Sequence, residues 1–134
     1  MDYLLDTHAL VWFIDGNNKL SKEAREIISN PNNNIFYSVI NLWEILIKSK
    51  KDKIIEYDNM LELNMSIVDA GFLPLSLSPR HMYSLEEIIN NNKKIKHKDP
   101  FDRALLAQAI ENKLILLTHD ERLKEYKEKY VQII

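Results

Sequence analysis

The stretch YLLDTHAL, Tyr3 to Leu10, passes from one kind of structure to another through a single charge. Tyr3 to Leu5 is short and apolar, as a buried strand requires. Thr7 to Ile14 is apolar at helical spacing and meets Gly16, a helix terminator. Asp6 stands at the joint. An aspartate or threonine there can cap the following helix. An aspartate at the exit of a first strand also lies where open α/β sheets hold their ligands, outside the carboxyl ends of the strands.

The same alternation recurs along the chain. Ser21 can cap a helix with Ala24, Ile27 and Ile28 on one face. Ile35 to Ser38 reads as a strand, and Ser38 as the cap of VINLWEILIKSKK. Tyr57 to Ala70 reads as a helix and Phe72 to Leu77 as a strand. Ser78-Pro79 and Asp99-Pro100 each pair a cap with a first-turn proline, opening two further helices. Leu114 to Thr118 reads as a strand, Asp120 to Glu128 as a helix and Val131 to Ile134 as a last strand. Asn32 to Asn34 and Asn90 to Asn92 read as loops. Strands alternating with helices imply a mainly parallel sheet covered on both faces, in a single domain over residues 1–134.

Composition narrows the chemistry. With 134 residues, 46% of them hydrophobic, the chain can bury a core. It has no cysteine, which excludes disulfides, thiolate zinc sites and Cys nucleophiles. No signal peptide and no membrane-spanning run is visible, so a cytoplasmic location is expected and the Asn64-Met65-Ser66 sequon carries no meaning. A net charge of −2 does not favour nucleic acid binding by bulk charge. Local patches or bound cations must supply any such affinity.

The acids are the candidates. Asp6 and Asp120 each follow a strand. Asp99 and Asp102 fall in the first turn of one helix. Glu44 sits inside the apolar NLWEILI, where a carboxylate is costly unless paired or ligating a metal. Each has a plain structural use: Asp99 as a cap, Asp102 on the helix dipole, Glu44 paired with Lys48 at i+4 for roughly 0.3–0.5 kcal/mol. Together they are harder to explain. Two unit charges ~4 Å apart repel by about 4 kcal/mol at an effective dielectric of 20. A cluster therefore needs raised pKa values or cations, and hard divalent ions with oxygen ligands, Mg²⁺ or Mn²⁺, are the natural partners.

LLDTHALVWF, SVINLWEILIK, HKDPFDRALLAQAI and LILLTHDERLKEY, in this order from Leu4 to Tyr126, resemble the PIN domain, and within it VapC-type toxins of type II toxin–antitoxin pairs. The resemblance implies a three-layer α/β/α sandwich around a mainly parallel sheet. It implies metal-dependent endonucleolytic cleavage of RNA, a cognate VapB-like antitoxin and a toxin homodimer. Carried over residue by residue, the catalytic and metal-binding acids are Asp6, Glu44, Asp102 and Asp120. Asp99 and Thr118 are possible accessories. The spacing to Ala107 and Ala109 favours Asp102 over Asp99 as the family's third acid. The chain from Lys51 to Asn92 matches no motif.

His8, His97 and His119 are expected in solvent-facing or capping roles, since the resemblance gives none a catalytic one. Arg103 could contact phosphate or make a surface ion pair. The basic runs KSKKDK (Lys48 to Lys53) and KKIKHK (Lys93 to Lys98) could hold an RNA backbone. Trp12, Phe13 and Trp43 are expected mainly in the core. Competing readings are a haloacid dehalogenase-like phosphatase, a receiver-like signalling domain, and a degenerate PIN domain that only binds partners or RNA. The first wants a second acid two positions after Asp6, where His8 stands. The second wants an early acid pair and a lysine after the last core strand, which THDER lacks.

Overall fold

The computed structural model describes residues 1–48, 54–126 and 130–134. Its strands are β1 (Asp2–Leu5), β2 (Asn34–Ser38), β3 (Leu73–Leu75), β4 (Ile115–Thr118) and β5 (Val131–Ile133). They form one sheet in the order β3-β2-β1-β4-β5, and every pairing is parallel. Parallel neighbours need crossovers, and helices supply them. These are α1 (Thr7–Asp15), α2 (Lys22–Ser29), α3 (Val39–Lys48), α4 (Met60–Asp69), α5 (Pro79–Asn91) and α6 (Pro100–Asn112), with a 3-10 segment at Glu121–Tyr126.

Because the sheet is covered on both faces, its strands are apolar at successive positions rather than at alternate ones. Tyr3 and Leu5 of β1 join Ile35, Tyr37 and Leu117 in one cluster, covered by Leu10 of α1, Ile28 of α2 and Ile67 of α4. Leu4 and Leu116 point the other way and meet Ile88 of α5 and Leu105 and Leu106 of α6. Leu4, Leu5, Leu116 and Leu117 are fully buried, and each such side chain contributes about 1.5–3 kcal/mol. Helix α3 serves both layers, giving Ile45 to the first cluster and Ile40 to the second. This is the three-layer α/β/α sandwich expected from the sequence.

The chain runs outward from β1 to β2 and β3, then returns to place β4 on the other side of β1. Strand order therefore reverses between β1 and β4, which leaves a crevice at their carboxyl ends. Asp6 and Asp120 flank it.

Local signals set most boundaries. Ser21 accepts a hydrogen bond from the Ala24 N–H at 3.1 Å, Asp99 from Asp102 at 3.0 Å, and Gly16 closes α1 with φ 66°. Several expectations are corrected. The helix expected from Tyr57 begins at Met60, because Asn59 caps it through the Glu62 N–H at 2.9 Å. Helix α5 continues through Asn90 and Asn91, and the Asn92 side chain donates to the Ile88 carbonyl at 2.7 Å. The helix expected from Asp120 is a shorter 3-10 turn, and its expected end at residues 127–128 lies outside the described residues. Most of the KSKKDK run also lies outside them.

Candidate active site

Asp6, Glu44, Asp102 and Asp120 line one cleft, and Asp99 lines it too. They come from the end of β1, the interior of α3, the first turn of α6 and the turn after β4. Asp6 does two jobs there. Its backbone N–H makes a last bond across the sheet to the Leu117 carbonyl at 3.0 Å. Its Oδ1 caps α1 by accepting from the Ala9 N–H at 2.7 Å. The other oxygen, Oδ2, accepts from the Thr118 hydroxyl. That hydroxyl in turn accepts from the Asp120 N–H at 3.0 Å. Thr118 is thus a buried link between two acids, behind the cleft.

Glu44 is 3% exposed. Its Oε2 accepts from the Lys48 ammonium, one turn on, while Oε1 is buried without a hydrogen-bond partner. Asn41, fully buried on the same helix, fixes that helix against the first strand. Its side-chain N–H groups donate to the Leu5 carbonyl at 3.2 Å and the Thr7 hydroxyl at 3.0 Å, and its Oδ1 accepts from Ser38. Asn41 escaped the sequence reading, although an amide inside an apolar helix is costly unless it is bonded.

The acids crowd one another, and Asp102 bears the consequence. Burial pushes its carboxyl from 3.8 up to about 7, reinforced by the charges of Asp99, Asp6, Glu44 and Asp120. Asp120 moves the other way. Arg122 grips both its oxygens, at 3.0 to 3.2 Å through Nε and 2.7 Å through Nη2, and holds the carboxyl below its usual range. Burial opposes the charge on Lys48, yet Glu44, with Asp99 and Asp102, keeps its pKa above the ordinary value.

The histidines are not simply solvent-facing. His97 is 5% exposed, and its Nε2 lies 2.9 Å from Asp102 Oδ2. His119 Nδ1 lies 3.3 Å from Asp6 Oδ2, off the line of a good hydrogen bond, as an ion-pair contact that raises the imidazole's pKa. Its ring and that of His8 pack edge to face at 4.9 Å, with Trp12 beside both. Burial lowers the His8 pKa, and His119 lowers it further. Trp43 is 54% exposed, with its ring edge on to Phe101 at 5.3 Å, so it is not a core residue. Arg103 has no ion pair among the described residues; its Nε donates to the Tyr126 hydroxyl at 2.9 Å. Lys93, Lys94, Lys96 and Lys98 of the second basic run are exposed.

Two features fit a hard cation. An unpartnered buried carboxylate oxygen, Glu44 Oε1, lacks the hydrogen bond that burial normally demands. Carboxylate oxygens of Asp102 and Asp120 also lie within 4.8 Å of each other, with a His97 ring nitrogen equally near. The donor set is mostly carboxylate oxygen, which suits Mg²⁺ or Mn²⁺.

The family model for the PIN domain matches residues 3–129, and the chain belongs to the PIN domain family, a family of nucleases. Solved structures agree on the fold. VapBC2 from Rickettsia felis, bound to a DNA fragment from its promoter, is 20% identical with a TM-score of 0.68, covering 100% of this chain and 98% of the other. VapBC-1 from nontypeable Haemophilus influenzae is 17% identical with a TM-score of 0.70, covering 99% and 98%. DNA-bound VapBC from Salmonella typhimurium is 20% identical with a TM-score of 0.66, covering 100% and 97%. No curated protein matches by sequence. The family differs from the haloacid dehalogenase and receiver classes weighed above. Among the described residues, no helix is long and apolar enough to cross a membrane.

Proposed function

We propose that this chain is the toxin of a type II toxin–antitoxin module and a divalent-metal-dependent endoribonuclease. The observation that carries the reading is the convergence of four carboxylates from four separate elements on the crevice between β1 and β4, in a chain of this family. Asp6, Glu44, Asp102 and Asp120 hold Mg²⁺ or Mn²⁺, with Asp99 and Thr118 in supporting places. When bound, such an ion acidifies a water and neutralises charge on a phosphodiester.

The chain's own groups prepare that chemistry. The Ala9 N–H on Oδ1, and the Thr118 hydroxyl and His119 N–H on Oδ2, fix the Asp6 carboxylate. Lys48 balances one oxygen of Glu44 and leaves the other buried without a hydrogen-bond partner. Arg122 is exposed beside Asp120 and can exchange that partner for a phosphate oxygen. Among the described residues lining the cleft there is no serine or cysteine, and the lysine there is engaged by Glu44, which supports attack by water without a covalent protein intermediate. Cleavage of this kind leaves a 5′-phosphate and a 3′-hydroxyl and does not use the 2′-hydroxyl. The exposed lysines of residues 93–98 supply backbone affinity without sequence information.

The solved relatives are toxin–antitoxin complexes, which supports a VapB-like antitoxin for this chain. The exposed apolar side chains Val39, Trp43 and Ile47 on α3 and Leu61, Met65 and Val68 on α4 offer surface for such a partner or for a second copy in a homodimer. Controlled expression tests the reading. Wild type should arrest growth and fragment RNA, and Asp6→Asn should do neither at equal soluble level. Harmless accumulation of folded wild type, with RNA intact, would support a degenerate domain that only binds.

A further inference from the structure

We infer that His97 is a positioning residue for the metal-binding acids, held in place by Tyr126 and Arg103; this rests on the metal-site reading above. Asp102 would otherwise be free to turn about its side-chain bonds. Its backbone N–H is already committed to Asp99 Oδ1 at 3.0 Å. Its Oδ2 lies 2.9 Å from His97 Nε2, and the imidazole, 2% exposed as a side chain, has no room to swing away. With Nε2–H donated to Oδ2, the carboxylate keeps Oδ1 and the remaining lone pair of Oδ2 for a cation. Carboxylate ligands are commonly held in this way by a neighbouring donor.

What holds the histidine is a second segment of chain. The Tyr126 hydroxyl donates to the His97 carbonyl oxygen, and Arg103 Nε donates to the same hydroxyl at 2.9 Å. The Tyr126 and His97 rings meet edge to face at 6.1 Å. Tyr126 closes the 3-10 turn that begins directly after Asp120. One continuous set of contacts therefore runs from the segment of Asp120, through Tyr126 and His97, to the Asp102 carboxylate. It fixes the separation of two acids that come from different elements. Since Nε2 is spent on Asp102, the histidine acts through that acid and not as a ligand itself.

The test is titration of purified protein with Mg²⁺ and Mn²⁺ by calorimetry, with folding checked by circular dichroism. His97→Leu should bind both ions about 10–100-fold more weakly. His97→Gln, which places an N–H near the position of Nε2, should recover most of that loss. Tyr126→Phe keeps the ring, removes the hydroxyl and should bind both ions several-fold more weakly, which covers the case of a His97→Leu that does not fold. Wild-type-like binding by His97→Leu, or by Tyr126→Phe if only that variant folds, overturns the inference alone. So does a His97→Gln as weak as His97→Leu with Mn²⁺ but unimpaired with Mg²⁺, the signature of a direct nitrogen ligand. Wild type that binds neither ion overturns the metal reading and this inference with it.

Discussion

Replacing Asp102 by Asn should stabilise the metal-free protein, increasingly as pH rises from about 4 to about 7. The folded carboxyl titrates at about 7 against 3.8 for an unperturbed one, first because it is buried and then because four other carboxylates face it. Between those values the native state binds more protons than the unfolded state, so stability falls as pH rises from about 4 to about 7 and is flat beyond. The gap between 3.8 and about 7, at 1.36 kcal/mol for each tenfold change in proton affinity, amounts to ~4 kcal/mol by pH 8. The side chain is 16% exposed, so solvent screening removes little of this. Asn keeps the volume and can still accept from His97. Urea unfolding in EDTA, followed by circular dichroism, should show the variant roughly 2–4 kcal/mol more stable than wild type at pH 8 and only about 1 kcal/mol more stable at pH 4.5. Saturating Mg²⁺ should close the gap at pH 8 by stabilising wild type through mass action. A variant less stable than wild type at pH 8, or displaced equally at both pH values, would show that burial and the neighbouring acids do not penalise the Asp102 charge as the geometry requires.

Arg122→Ala should return the Asp120 carboxyl upward toward its ordinary pKa, since Arg122 is the chief cause of its depression; a carbon-detected NMR titration reads this. Lys113 ends α6 in the left-handed region at φ 55°, so Lys113→Gly should stabilise by about 0.5–1 kcal/mol in thermal unfolding. Ser38→Ala should cost about 1–3 kcal/mol in urea unfolding, because the buried Ser38 hydroxyl donates to Gln108 Oε1 and accepts from the Ile40 N–H at 3.0 Å.

Much of this was readable in advance, for reasons specific to particular residues. Consecutive apolar positions such as Tyr3 to Leu5 and Leu114 to Leu117 can be buried only in a sheet covered twice, and that fixed the class of fold. Asp99-Pro100 and Ser21 set their helices because a cap acts within one turn. The acids were legible because a charge inside NLWEILI is conspicuous. His97 was not, since nothing local says that a histidine five residues before Asp102 folds back onto it. That contact depends on Tyr126, which reaches His97 only after the chain has crossed the sheet. Asn41 and Trp43 failed for a related reason. Their positions on α3 follow from where that helix lies against β1 and α6, and helical periodicity alone does not give this. Asn90 and Asn91 read as loop by composition, yet the packing of α5 on α6 carries the helix through them.

The end chemistry of RNA cut by the purified protein bears on the whole argument at once. Incubated with RNA and Mg²⁺ or Mn²⁺, wild type should yield fragments carrying 5′-phosphate and 3′-hydroxyl ends. EDTA should abolish the cleavage, Asp6→Asn should reduce it by orders of magnitude, and a target with a 2′-deoxy nucleotide at the cut site should still be cleaved. Fragments ending in 2′,3′-cyclic phosphate, produced equally well in EDTA, would contradict the metal, the water nucleophile and the role given to all four acids.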